Sequence, residues 1–316
     1  MPEVKNILVG VDLSHGDHLI STELSAETLG AVAQATELAK ENSAQLTFCA
    51  VVDLDPHALA YMEEEDPNAL ANLGAQAEQV LQVLVQQART QGVITVASTH
   101  AFGKSWVELI KQVLRGHHDL LLVGTRKLSG LQRLMLGSTG LKLMRNCPCP
   151  VWITKPHVTS TVTRILVADD TTAVGARLVR IGSVVAKARD AELHLLHALE
   201  YPWDPDTTVA DPKQRAYRHK ARGHAETEIA SHLACAEAQS LHKPAQVVIR
   251  EDLAENAILN YIEYQKIDLL IMATIARSGL SGFLMGNTAE RLMPQIACSV
   301  LAVKPDDFQC PITLDS

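Results

Sequence analysis

The chain has 316 residues, 47% hydrophobic and 20% charged, a globular composition that excludes disorder as the main state and fits one large domain or two ordinary ones. A net charge of −8 and few aromatics (4 Phe, 5 Tyr, 3 Trp) leave neither a basic footprint nor a stacking platform, so no nucleic-acid partner is expected. The opening Met1-Pro2-Glu3-Val4-Lys5-Asn6 runs straight into Ile7-Leu8-Val9, and no segment has signal-peptide length or the roughly 18 apolar residues that span a bilayer, which points to a cytoplasmic protein without a membrane partner.

In chain order, short apolar runs at 7–11, 46–52, 93–97, 120–123 and 151–154 read as strands, separated by longer stretches of helical character. Leu70 to Ala88 is the clearest helix, because Leu73, Ala77, Val80, Leu81, Leu84 and Ala88 recur at three and four and form one stripe. Strands alternating with helices predict a parallel sheet covered on both faces. The charge run Glu63-Glu64-Glu65-Asp66 reads as a solvated connection after the second strand.

The pattern is then repeated. Ile7-Leu8-Val9-Gly10-Val11-Asp12 is echoed by Ile165-Leu166-Val167-Ala168-Asp169-Asp170, and Asp119 to Thr125 by Asp268 to Thr274. Cys149-Pro150-Val151 to Pro156 is echoed by Cys298-Ser299-Val300 to Pro305, and the long helix by a more polar, histidine-rich stretch from Tyr217 to Leu241. The first half carries extra residues around Ser14 to Glu27. The division predicted is a first domain at 1–156, a linker at 157–163 where Pro156 blocks continuation, a second domain at 164–305 and a loosely packed tail at 306–316.

After the fourth strand, Gly124-Thr125-Arg126-Lys127 is followed by nine residues and then by Gly137-Ser138-Thr139 at a helix start. Glycine lets backbone approach a phosphate, the helix start offers free amide donors, and Ser138 and Thr139 add hydroxyls. Neither the Walker nor the Rossmann glycine pattern is present. This loop, the strand-ending Asp12 and the Cys149-Pro150-Val151 start of the fifth strand resemble the universal stress protein family, and the repeat makes it a tandem member. The ending Lys304 to Pro311 is similar to that of the family's E-type tandem members. The resemblance implies two Rossmann-like doubly wound α/β domains, each a five-stranded parallel sheet of order 3-2-1-4-5 with ligands at the carboxyl ends of the strands. It also implies a stress-response module for ATP or another adenine nucleotide, with Mg²⁺, held in the first half by Asp12, Gly124, Lys127, Gly137, Ser138 and Thr139. Lys127 stands where the family has its second glycine, so an ammonium would replace close backbone approach to phosphate.

In the second half Asp170 keeps the aspartate, whereas Ala273 and Ala276 replace both early glycines and Gly286-Asn287 replaces Gly-Ser. Asp170, Gly286, Asn287 and Thr288 are the candidate second nucleotide site. Asn287 to Glu290 also reads as an ordinary capped helix start. The lost glycines keep a second reading open, a scaffold for unidentified protein partners that binds no nucleotide. In the family the apolar fifth strands pair across a dimer, so the resemblance implies an intrachain pseudo-dimer through them, with a homodimer as a further assembly.

The histidines do not assemble a metal site. His15 and His18 sit in a glycine-containing loop, His194 and His197 point to opposite faces of a strand, and His219 and His224 are five apart on a helix. A metal-dependent hydrolase is accordingly the weakest reading. His117-His118 at a helix end would complement the helix dipole as imidazolium. No serine elbow, zinc-protease helix or kinase signature appears, and no catalytic residue is assigned. The six cysteines form no disulfide framework or zinc knuckle, and Cys147-Pro148-Cys149 reads as small buried apolar side chains.

Overall fold

The computed structural model describes all residues except 1–3, 16–17, 126–136, 156–161, 202–210, 275–286 and 315–316. The chain folds as two units, one of residues 4–155 with 307–314 and the other of residues 162–306.

In the first unit the elements run β1 (Asn6–Val11), α1 (Ala26–Asn42), β2 (Gln45–Val52), α2 (Pro56–Glu65), α3 (Ala69–Thr90), β3 (Val96–Phe102), α4 (Ser105–Gly116), β4 (Leu120–Gly124), α5 (Ser138–Asn146) and β5 (Val151–Thr154). All strand pairs are parallel in the order β3-β2-β1-β4-β5. The central strands are apolar on both faces because helices cover both. Ile7, Leu8, Phe48, Leu120, Leu121 and Leu122 are fully buried, each worth roughly 1.5–3 kcal/mol relative to exposure.

The second unit repeats this plan with β6 (Arg164–Ala168), α6 (Ala173–Arg189), β7 (Glu192–Ala198), α7 (Pro212–Cys235), a 3₁₀ turn (Ala238–Ser240), β8 (Gln246–Arg250), α8 (Ala254–Gln265), β9 (Leu269–Ala273), α9 (Asn287–Leu292) and β10 (Ser299–Val303). Its parallel order is β8-β7-β6-β9-β10. The same aspartate pins the first strand to the fourth in each unit: Asp119 accepts from the amides of Lys5 and Asn6, and Asp268 from those of Thr163 and Arg164.

Four expectations change. The third strand lies at Val96–Phe102, not 93–97, because this edge strand is mostly half-exposed and lacks an apolar run. Glu63, Glu64 and Glu65 end helix α2, which Asp55 caps by accepting from the Ala58 amide and Pro56 opens, although nothing on α2 is buried. The long helix of the second unit begins at Pro212, not Tyr217. The tail groups with the first unit, where Phe308, Cys310 and Ile312 alternate as half-buried residues and Cys310 Sγ donates to the Asn146 carbonyl at 3.4 Å.

His118 also departs from expectation. His117 is the left-handed C-cap of α4, and burial pushes the His118 imidazole down to about 4, so it is neutral and complements no dipole near pH 7.

Candidate functional site

At the carboxyl end of the first sheet, a cavity of about 100 Å³ is lined by Asp12, Gly124, Gly137, Ser138 and Thr139 from the sequence-derived set, together with Thr125. Lys127 lies outside the described residues. Asp12 follows β1, and its Oδ1 accepts from the Ser14 amide at 3.0 Å and the Ser14 hydroxyl at 2.6 Å. This local turn fixes the carboxylate at the strand end. Gly137 is the N-cap of α5 with extended backbone and no side-chain cap, so the first-turn amides of Ser138, Thr139 and Gly140 face the cavity without an internal partner.

Thr125 is a further lining residue that the sequence motif does not single out. Thr125 is 4% exposed and its hydroxyl has no hydrogen-bond partner among the described residues, while its amide donates to the Thr154 carbonyl at 3.1 Å. An unmet buried hydroxyl costs about 1–3 kcal/mol unless something in the cavity completes it. Cys49 also lines this cavity, but burial, reinforced by Glu108, pushes its thiol up to about 12, which leaves it inert.

Gly124 has a packing role that the motif did not reveal. A Cβ there would sit 2.5 Å from the Glu27 carbonyl oxygen, so its glycine lets the first turn of α1 press against the end of β4. The second unit has Ala273 at the matching strand end and places a glycine on the helix instead. A Cβ on Gly175 of α6 would collide with Asp169 Oδ1 at 2.1 Å.

Asp170 occupies the place of Asp12 and repeats its turn, its Oδ1 accepting from the Thr172 amide at 3.1 Å and the Thr172 hydroxyl at 2.6 Å. Asp170 and Thr288 line a cavity of about 880 Å³; Gly286 lies outside the described residues, and Asn287 opens α9. The cavity's distinctive group is Asp169, missed in the sequence because it sits where the first half has Val11. Its buried carboxylate accepts from His232 Nδ1 of α7 at 2.9 Å and from the Thr171 amide at 2.8 Å, and its carbonyl accepts from His197 Nδ1 at 2.8 Å. The adjacent Asp169-Asp170 pair was the available signal. Its partner, 63 residues away, was not legible.

His194 and His197 part as their strand spacing predicted. His194 bonds the Tyr261 hydroxyl at 2.8 Å while His197 lines the cavity. His224 is exposed beside Glu228, and His15 and His18 exchange backbone hydrogen bonds. Among the described residues no group of three or more His, Cys, Asp or Glu could hold a metal ion, and no helix is long and apolar enough to cross a membrane.

Two parallel α/β sheets, each ending in an aspartate turn beside a cavity, define the class, and the chain belongs to the universal stress protein family: the family profile matches twice, at residues 3–155 and 161–304. Among curated relatives it is similar to universal stress protein E of Photorhabdus laumondii, 30% identical over 219 residues covering 65% of this chain and 67% of that protein. It is also similar to universal stress protein E of Escherichia coli K12, 27% identical over 223 residues covering 66% and 67%. A universal stress protein structure from Pseudomonas aeruginosa UCBPP-PA14 superposes with a TM-score of 0.67 at 21% identity, covering 96% of this chain and 94% of the other. One from Archaeoglobus fulgidus does so at 0.65 and 18%, covering 96% and 99%.

Proposed function

We propose that this protein is a cytoplasmic stress-response module that binds an adenine nucleotide in its first half. The observation that carries the reading is the convergence, in one cavity, of the Asp12 carboxylate, the uncapped start of α5 at Ser138 and Thr139, and the unmet hydroxyl of Thr125. A carboxylate accepts from ribose hydroxyls or an adenine amino group, and a helix start with free amides accepts phosphate. Mg²⁺ arrives with the phosphates, and Lys127 adds an ammonium to them. Asp170 and Thr288 offer the second cavity an acceptor and a hydroxyl without the glycine loop, so nucleotide binding there is the weaker case. No nucleophile with an aligned base is present among the described residues at either cavity, and binding, not turnover, is the activity proposed.

The test is to purify the protein without added ligand, denature it, and identify released small molecules by mass spectrometry. ATP, ADP or AMP in the supernatant supports the reading. An empty supernatant with a silent ATP titration favours the second reading, a scaffold for protein partners. One observation favours that alternative: packing against Glu27 accounts for Gly124 without any phosphate.

A further inference from the structure

Three of the six cysteines gather at the end of α5 opposite its cavity-facing first turn. Cys147 caps the helix, its amide donating to the Leu143 carbonyl at 2.8 Å, and the chain then bends through Pro148 and Cys149. The bend brings Cys147 Sγ to 3.6 Å from Cys149 Sγ, with both side chains buried. The third thiol, Cys310, comes from the tail. It is half-buried and donates to the carbonyl of Asn146, the residue preceding Cys147.

We propose that this corner is a hydroperoxide-responsive modification site, in which Cys310 receives the oxidant and the Cys147–Cys149 pair ends as the disulfide. The buried pair is poorly placed to react first. Both are buried, which keeps a solvent oxidant from their sulfurs. Cys310 reaches solvent from the same corner. Its thiolate attacks a hydroperoxide; an S–O bond forms, the O–O bond breaks and an alcohol leaves (water, for hydrogen peroxide), giving a sulfenic acid. Cys147 then attacks the Cys310 sulfur, and the S–OH oxygen departs as water with the thiol's proton. Cys149 next attacks Cys147, so the Cys147–Cys149 bond forms as the Cys147–Cys310 bond breaks, and Cys310 recovers its proton. The balance is two thiols and one hydroperoxide to one disulfide, one alcohol and one water. A side-chain rotation brings the sulfurs from 3.6 Å to the roughly 2.05 Å of the bond.

The test exposes the full-length protein to hydrogen peroxide, quenches with an alkylating agent under denaturing conditions, and maps the peptides by mass. The expected product is a Cys147–Cys149 disulfide, with Cys49 and Cys298 alkylated as buried thiols. Cys310→Ser should slow its formation by roughly tenfold or more, since the entry thiolate is gone. Cys149→Ser should stop the sequence at a Cys147–Cys310 disulfide. If that core variant does not fold, the rate in Cys310→Ser decides alone, the substitution lying in the tail. The proposal is overturned if the pair stays alkylatable while Cys310 is oxidised further, or if Cys310→Ser forms the disulfide at the wild-type rate.

Discussion

The two halves share a strand order and an aspartate turn, yet their cavities are finished by opposite means. In the first, Thr125 lines a narrow cavity of about 100 Å³ with a buried hydroxyl that has no partner among the described residues. In the second, the matching Thr274 is bonded by the buried Lys304 ammonium at 2.8 Å, and Asp169 accepts from His232 and Thr171 beside a cavity of about 880 Å³. Among the described residues the first half leaves the Thr125 hydroxyl unmet, whereas the second bonds Thr274 and Asp169 to Lys304 and His232.

The comparison is broken most severely at Asp169. Asp169→Ala leaves His232 without its carboxylate and should cost the protein about 1.5–3 kcal/mol, as loss of hydrogen bonds to a buried carboxylate does. Chemical denaturation measures it, and a loss below about 1 kcal/mol would mean that the pair is not structural. Gly124→Ala comes next. Its Cβ would meet the Glu27 carbonyl oxygen at 2.5 Å, and the strain should cost about 1–3 kcal/mol. Ala273→Gly at the matching strand end should change stability by about 1 kcal/mol or less, so similar melting shifts for the two would undo the packing account of Gly124.

The threonine pair sharpens the contrast at smaller scale. Thr274→Val removes an acceptor from a buried ammonium and should cost about 1–3 kcal/mol. Thr125→Val removes an unmet hydroxyl and should leave the ligand-free protein as stable as before or slightly more so, while weakening nucleotide binding several-fold. Thermal melts with and without MgATP separate these outcomes.

The first half also carries a pH dependence, at His118. His118 has its imidazole lowered from an ordinary 6.5 to about 4 by burial, so between those values the unfolded chain binds the proton and the folded chain does not. Stability should therefore rise with pH through this window and be lost as pH falls through it. His118→Asn should flatten that slope, as denaturation at about pH 4.5 and pH 7 would show.

The sequence showed where its elements carry a strong local signal. β1, β4, β6 and β9 are central or near-central runs of apolar residues, and the repeat doubled each signal. The edge strand β3 and the half-exposed α2 were misread because neither buries a continuous face. In the site, the motif located Asp12 and Gly137 to Thr139, whose roles are local turns and a helix start. Thr125, Gly175 and the Asp169–His232 pair depend on what long-range packing brings beside them. A glycine pattern alone did not reveal that Gly124 answers first to α1.

The most direct measurement of the central claim is a calorimetric titration of MgATP into the wild-type protein and into Ser138→Tyr, whose ring would fill the first cavity. The account predicts one nucleotide per chain in the wild type and an affinity at least about tenfold lower in the variant, or about 1.4 kcal/mol. Binding of equal strength in both proteins would contradict it, as would no heat in either.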